Sequence, residues 1–157
     1  MTRIPAALLA VTLLAFGAPA AFAHGGGDHF AFGHVGQAKD VARTVKITAS
    51  DYEFSPTELT VKSGETVRFE VTNMSKHMHE FTVGDADAIE AHRKSMAAMG
   101  DMHHTEGEHA MPSNSVHVAP GKTGELIWTF EGTSDLVFAC NYPGHADLGM
   151  EGKIKLQ

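Results

Sequence analysis

The chain has 157 residues, 43% of them hydrophobic, and a formal net charge of −7 with its 11 histidines neutral. That length suits one domain with a real core, and the acidic balance excludes a nucleic-acid partner, which would need a basic face. A single cysteine excludes an internal disulfide, so Cys140 is a free thiol, an intermolecular link or a metal ligand.

Residues 1–23 hold Arg3, an apolar run over 6–16 and the ending Ala21-Phe22-Ala23, the three parts of a secretory signal peptide. The apolar run is short for a bilayer span, so cleavage after Ala23, export and no stable membrane insertion are expected. Residues 24–37 are rich in Gly and His without apolar periodicity, which predicts a flexible N-terminal arm over 24–43. Cleavage would leave His24 with a free α-amine beside its imidazole, a chelate suited to Cu(II), with His29 and His34 further along.

From residue 44 the texture becomes β-like. Val45 and Ile47 alternate with polar residues, Leu59 and Val61 follow a Ser-Pro turn, and Val67, Phe69 and Val71 alternate with Thr66, Arg68, Glu70 and Thr72. Leu126, Trp128 and Phe130, then Leu136 and Phe138, then Ile154 and Leu156 continue the pattern. Seven or so short strands punctuated by glycines call for an all-β sandwich over 44–157.

An insertion over about 85–117 interrupts the pattern. Ala86, Ala88, Glu90, Ala91, Ala97 and Ala98 predict a helix over 86–99, and the His- and Met-rich stretch 101–115 reads as loop. His92, Met96, Met99 and His103 are spaced to form one helical stripe, which would either hold Cu(I) or pack the helix on the sandwich together with Ile89. Met102, His103, His104, His109 and Met111 are further candidate metal ligands in the polar tract.

The segment after the apolar run Leu136–Phe138 carries the strongest signal. Cys140, His145 and Met150 follow one another at intervals of five residues, with Pro143-Gly144 supplying a tight turn between the first two. Thiolate, imidazole and thioether are ligands that copper accepts in both oxidation states. The second histidine is expected from His79, which shares strand parity with Phe81 and Val83 as Cys140 does with Leu136 and Phe138. His77, on the same parity, is the rival for that role, and His117 reads as structural or solvated. The expected site is trigonal His79, Cys140 and His145 with Met150 as a weak axial ligand.

These motifs carry a resemblance. Tyr52-Glu-Phe54-Ser-Pro56 through Val67-Arg-Phe69, Asn73, His79-Glu-Phe81 and Cys140-Asn-Tyr-Pro143-Gly144-His145 through Met150-Glu-Gly152-Lys-Ile154 resemble the cupredoxins, the single-domain type 1 (blue) copper proteins. The last stretch is similar to the ligand loops of rusticyanin and auracyanin, and the longer insertion resembles periplasmic bacterial copper-tolerance cupredoxins. The resemblance implies a Greek-key sandwich, one type 1 copper held by His79, Cys140, His145 and Met150, and a monomer. It implies a periplasmic single-electron carrier rather than an enzyme, linked to copper tolerance, whose partner is a cytochrome, an oxidase or a copper-handling protein. A copper chaperone or buffer, taking additional copper on the insertion and the N-terminal arm, is the alternative. Glu80 departs from the family, where Asn commonly follows the first histidine ligand and ties two loops together.

Overall fold

The computed structural model describes residues 29–99 and 112–157. Among these residues the strands are, in chain order, β1 (Gly33–Val35), β2 (Arg43–Ala49), β3 (Phe54–Ser55), β4 (Glu58–Val61), β5 (Thr66–Asn73), β6 (His79–Gly84), β7 (Ser115–Val118), β8 (Thr123–Phe130), β9 (Leu136–Ala139) and β10 (Glu151–Leu156). One helix, α1 (Ala86–Met99), lies between β6 and β7. The strands form two five-stranded sheets, ordered β1-β8-β5-β2-β3 and β4-β10-β9-β6-β7. This is the β-sandwich with a helical insertion that the alternation and the alanine-rich stretch predict.

Strict alternation puts one face of each strand into the core. Val45, Ile47 and Ala49 of β2, Val67, Phe69 and Val71 of β5, and Leu126, Trp128 and Phe130 of β8 are all buried. Phe81 stands at the centre, with ring centroids 5.2 Å from Phe69, 5.2 Å from Phe138 and 5.6 Å from Phe54. Each such ring contributes roughly 2–3 kcal/mol through burial. Phe81 therefore anchors β6, the strand that begins at His79, from both sheets.

Strand β6 is buried on both faces. Its inward side carries His79, Phe81 and Val83. Its outward side carries Glu80, Thr82 and Gly84, and a side chain at Gly84 would touch Ala88 and Ile89 of α1. Ile89 and Met96 are buried, so the helix packs against the outer face of this sheet.

Three expectations change. Residues 29–43 are not a flexible arm: β1 pairs with β8, Phe32 is buried, and Phe30 and Phe32 each place a ring 5.8 Å from Trp128. Two aromatic residues outweigh the glycines around them because packing against Trp128 buries Phe32 and part of Phe30. The insertion ends before 115, since β7 is an edge strand paired with β6. There are also more strands than the seven or so expected, because β1, β3 and β7 are too short to show periodicity. Residues 1–28, including the expected signal peptide and His24, lie outside the described residues.

Strand β10 pairs with β9 at a position where only glycine fits: a Cβ on Gly152 would lie 2.1 Å from Cζ of Phe138 and 2.6 Å from the Thr57 carbonyl oxygen. Gly152→Ala should therefore cost about 1–3 kcal/mol of stability, read as a lower urea midpoint at unchanged slope. An unchanged midpoint would show that the core yields around Phe138 without cost.

Candidate metal centre

Two strand ends and two loops meet at one pole of the sandwich. His79 opens β6, Cys140 directly follows β9, and the segment 141–150 returns the chain to β10. That return is pinned at its base, because Cys140 N–H donates to the Met150 carbonyl (3.0 Å) and Met150 N–H donates to the His145 carbonyl (3.1 Å). Cys140 and Met150 are fully buried within the hydrophobic core cluster.

The ligand atoms of His79, Cys140 and His145 lie within 4.8 Å of one another. Cys140 Sγ is 3.2 Å from Nδ1 of His145 and 3.9 Å from Nδ1 of His79, and the two imidazole rings meet at 60° with centroids 5.1 Å apart. His79 is fully buried and His145 half-buried. His77, the rival, is exposed, stacks on Tyr52 at 6.0 Å and stands outside this group.

Local hydrogen bonds set the tautomer of His79. Asn73 is buried at the end of β5, and its Nδ2 donates to the carbonyls of His77 (2.7 Å) and Val118 (2.8 Å). Its Oδ1 accepts from Ser75 N–H (2.9 Å) and Ser75 Oγ (3.0 Å). With its proton given to Asn73, the Ser75 hydroxyl accepts from His79 Nε2–H at 2.7 Å, which leaves the Nδ1 lone pair facing Cys140. Ser75 escaped the sequence reading. The signal was there in Asn73-Met-Ser75, a short polar motif that hydrogen-bonds its own backbone.

Glu80, the departure from the family pattern, stands beside these donors. Strand parity turns its side chain away from the core, yet it is fully buried, because α1 and β7 cover it. Oε1 accepts from Ser115 Oγ (2.7 Å) and lies 2.7 Å from His92 Nε2 and 3.4 Å from His117 Nε2. Oε2 accepts from Asn141 Nδ2 (3.0 Å) and Asn141 N–H (3.3 Å), so Glu80 joins β6 to the ligand loop. Its own N–H donates to Cys140 Sγ (3.4 Å). Tyr142 continues the contact towards the metal-facing pole, its ring 5.4 Å from His117 and 5.7 Å from His145.

His92 therefore serves Glu80, and Met96 is packed into the protein; these two members of the proposed metal stripe take the packing role. Met102, His103, His104, His109 and Met111, and the side chain of Met99, lie outside the described residues.

Burial shifts His79, His145 and Cys140 towards their neutral forms, while Glu80 is held in its charged form. The His79 pKa falls to about 4, chiefly because desolvation disfavours its cation, with His145 and His77 adding repulsion. His145 is lowered for the same first reason. The Cys140 thiol is pushed up to about 12 by desolvation. Burial also pushes Glu80 upward, but hydrogen bonds from His117 and His92 outweigh it and hold the carboxyl well below its usual range. Before metal arrives the site thus presents two neutral imidazoles and a thiol, and a bound cation must displace the thiol proton. Two imidazole Nδ1 atoms, one sulfur and a buried thioether residue make a donor set that fits copper.

Comparison with known proteins agrees with this chemistry. The family model of copper binding proteins, plastocyanin/azurin family, matches residues 41–157. The chain is 37% identical to the copper-resistant cuproprotein CopI of Pseudomonas aeruginosa, over 98% of this chain and 96% of that protein. It is 38% identical to the CopI of Rubrivivax gelatinosus, over 95% of this chain and 90% of that one. Among solved structures, a dithionite-reduced auracyanin from Roseiflexus castenholzii shares the fold, with a TM-score of 0.62 at 20% identity over 74% of this chain and 98% of that chain.

Two outcomes follow from the site. Between pH 6.5 and about 4 the unfolded chain binds a proton at His79 that the folded chain refuses, so the metal-free protein loses stability on acidification. From pH 7 to pH 5 His79 alone removes about 2 kcal/mol, and the depressed carboxyl of Glu80 acts in the same direction at lower pH. Thermal melts of metal-free protein at the two pH values check this, and a midpoint that holds or rises on acidification contradicts it. His92→Ala strips one hydrogen-bond partner from a buried carboxylate and should cost about 2–3 kcal/mol, while copper per chain stays unchanged. A lost equivalent of copper would restore the stripe as a metal site.

Proposed function

The chain belongs to the plastocyanin/azurin family of copper-binding proteins, and on that premise we propose that it is a periplasmic type 1 copper protein that passes single electrons in the service of copper tolerance. The observation that carries this reading is the buried convergence of His79 Nδ1, His145 Nδ1 and Cys140 Sγ beside Met150. In it, His79, Cys140, His145 and Met150 would hold the metal through two imidazoles, a thiolate and a thioether. Copper bound there supplies a one-electron couple between Cu(I) and Cu(II).

The protein's part is to keep the donors in place. Ser75 and Asn73 hold His79, the backbone hydrogen bonds of Cys140 and Met150 close the loop, and Glu80 ties β6 to Asn141. Such a frame moves little between oxidation states, which keeps the reorganisation accompanying electron transfer small. Glu80 also adds a fixed negative charge near the sulfur, which favours the more positive, oxidised state of the site.

Access for a partner is through His145. It is half-buried, Tyr52 meets it edge-on at 5.2 Å, and Pro143, Leu148, Met74 and Tyr52 are exposed apolar or aromatic residues at this pole. Exposed apolar surface around a ligand histidine suits brief docking of a redox protein such as a cytochrome or oxidase. Copper tolerance enters from the two CopI relatives, named as copper-resistant cuproproteins. An electron carrier rather than an enzyme fits a site whose donors are all committed to holding the metal.

Cu(II) titration followed by visible absorption and electron paramagnetic resonance tests the reading. One copper per chain at this site should give strong thiolate-to-copper absorption that Cys140→Ser abolishes. Met150→Gln should lower the reduction potential, since an amide oxygen favours Cu(II) more than a thioether does. Absence of the thiolate band would sink the reading, and an unchanged potential would remove Met150 from the ligand set.

A further inference from the structure

A second set of donors stands at the opposite end of the sandwich. Phe30 and Gly33 pair across a tight turn, Phe30 N–H donating to the Gly33 carbonyl (2.9 Å) and Gly33 N–H to that of Phe30 (3.1 Å). In an antiparallel turn the next facing pair is His29 and His34, whose rings stack at 5.2 Å with an 18° tilt. Gly33 brings this turn against β8: its φ is +136°, and a Cβ there would lie 2.0 Å from the Thr129 carbonyl oxygen. Glu131 directly follows β8, and its N–H donates to the Phe32 carbonyl (3.0 Å). Its two oxygens then meet the two rings, Oε2 at 3.3 Å from His29 Nε2 and Oε1 at 3.3 Å from His34 Nδ1.

We propose that His29, His34 and Glu131 form a second, surface site for a divalent transition-metal ion, separate from the Cys140 centre. One ligand atom from each lies within 4.8 Å of the others, and donors on one tetrahedral ion at about 2.1 Å stand about 3.4 Å apart. Small rotations of these partly exposed side chains therefore close the site, and water completes the coordination. Two imidazoles and a carboxylate, without sulfur, select borderline divalent ions, with Cu(II) held more tightly than Zn(II), and disfavour Cu(I). The buried centre differs in kind, since Cys140 and Met150 suit the reduced ion. The eight residues of β8 separate the two poles by roughly 25 Å at about 3.3 Å per residue, so the surface site fills independently. It gives the chain a place to hold aquated divalent copper, and it does not rest on the electron-transfer reading.

The test uses the full chain carrying Cu(I), which is diamagnetic, with Zn(II) as the probe and histidine ring resonances as the readout. The ring signals of His29 and His34 should shift together along one binding curve, and His34→Ala and Glu131→Gln should each weaken the response of His29 at least tenfold. Both side chains are partly exposed, so the fold survives these changes, and an unaltered backbone spectrum verifies that. No response at the two rings, or a His29 response of unchanged affinity in both variants, would overturn the site and leave a His–Glu ion-pair cluster.

Discussion

A carboxylate without access to water has to be paired, and Glu80 organises this protein around that requirement. An ionised side chain in the interior costs several kcal/mol unless charges and hydrogen bonds compensate it. Glu80 obtains them from four places: His92 on α1, His117 and Ser115 on β7, and Asn141 on the ligand loop. The insertion, the edge strand and the metal loop are thereby fastened to the residue next to His79. Here a charge ties three elements, and it requires a helix to cover it.

The same arrangement explains why β6 is buried on both sides. A sandwich strand normally leaves one face to solvent, but β6 must present His79 inward while its outward face supports α1. Phe81 and Val83 fix the inner face in the aromatic core, and Glu80, Thr82 and Gly84 receive β7 and α1 on the outer one. The metal pole thus inherits rigidity from two packed layers. Neutral donors in a dry pocket, held by Ser75 and by Cys140–Met150 backbone bonds, need little rearrangement to accept an ion.

The two poles divide the chemistry of the chain. One buries sulfur with imidazole, the donor set for an ion that changes oxidation state; the other exposes imidazole with carboxylate at the rim of β8. Both depend on short backbone devices, the pinned return of 140–150 in one case and the Phe30–Gly33 turn in the other. An acidic chain with donors at both ends is suited to handling a cation.

By itself the sequence determined the alternation of β2, β5, β8 and β10, the helix over 86–99, and the intervals from Cys140 to His145 to Met150. These are local facts, readable because side-chain periodicity and loop spacing follow from neighbours along the chain. Tertiary structure decided the rest. Phe30 and Phe32 look like part of a glycine-rich arm until Trp128, about a hundred residues away, offers them a surface. The sequence leaves His92 open between a metal stripe and helix packing until α1 lies down and brings it to Glu80, and it gives no sign that this helix covers Glu80. His29 and His34 gain Glu131 only when β1 pairs with β8. In each case the deciding partner is distant in sequence, and burial, which sets both the charge state and the role of a polar side chain, exists only once the layers are packed.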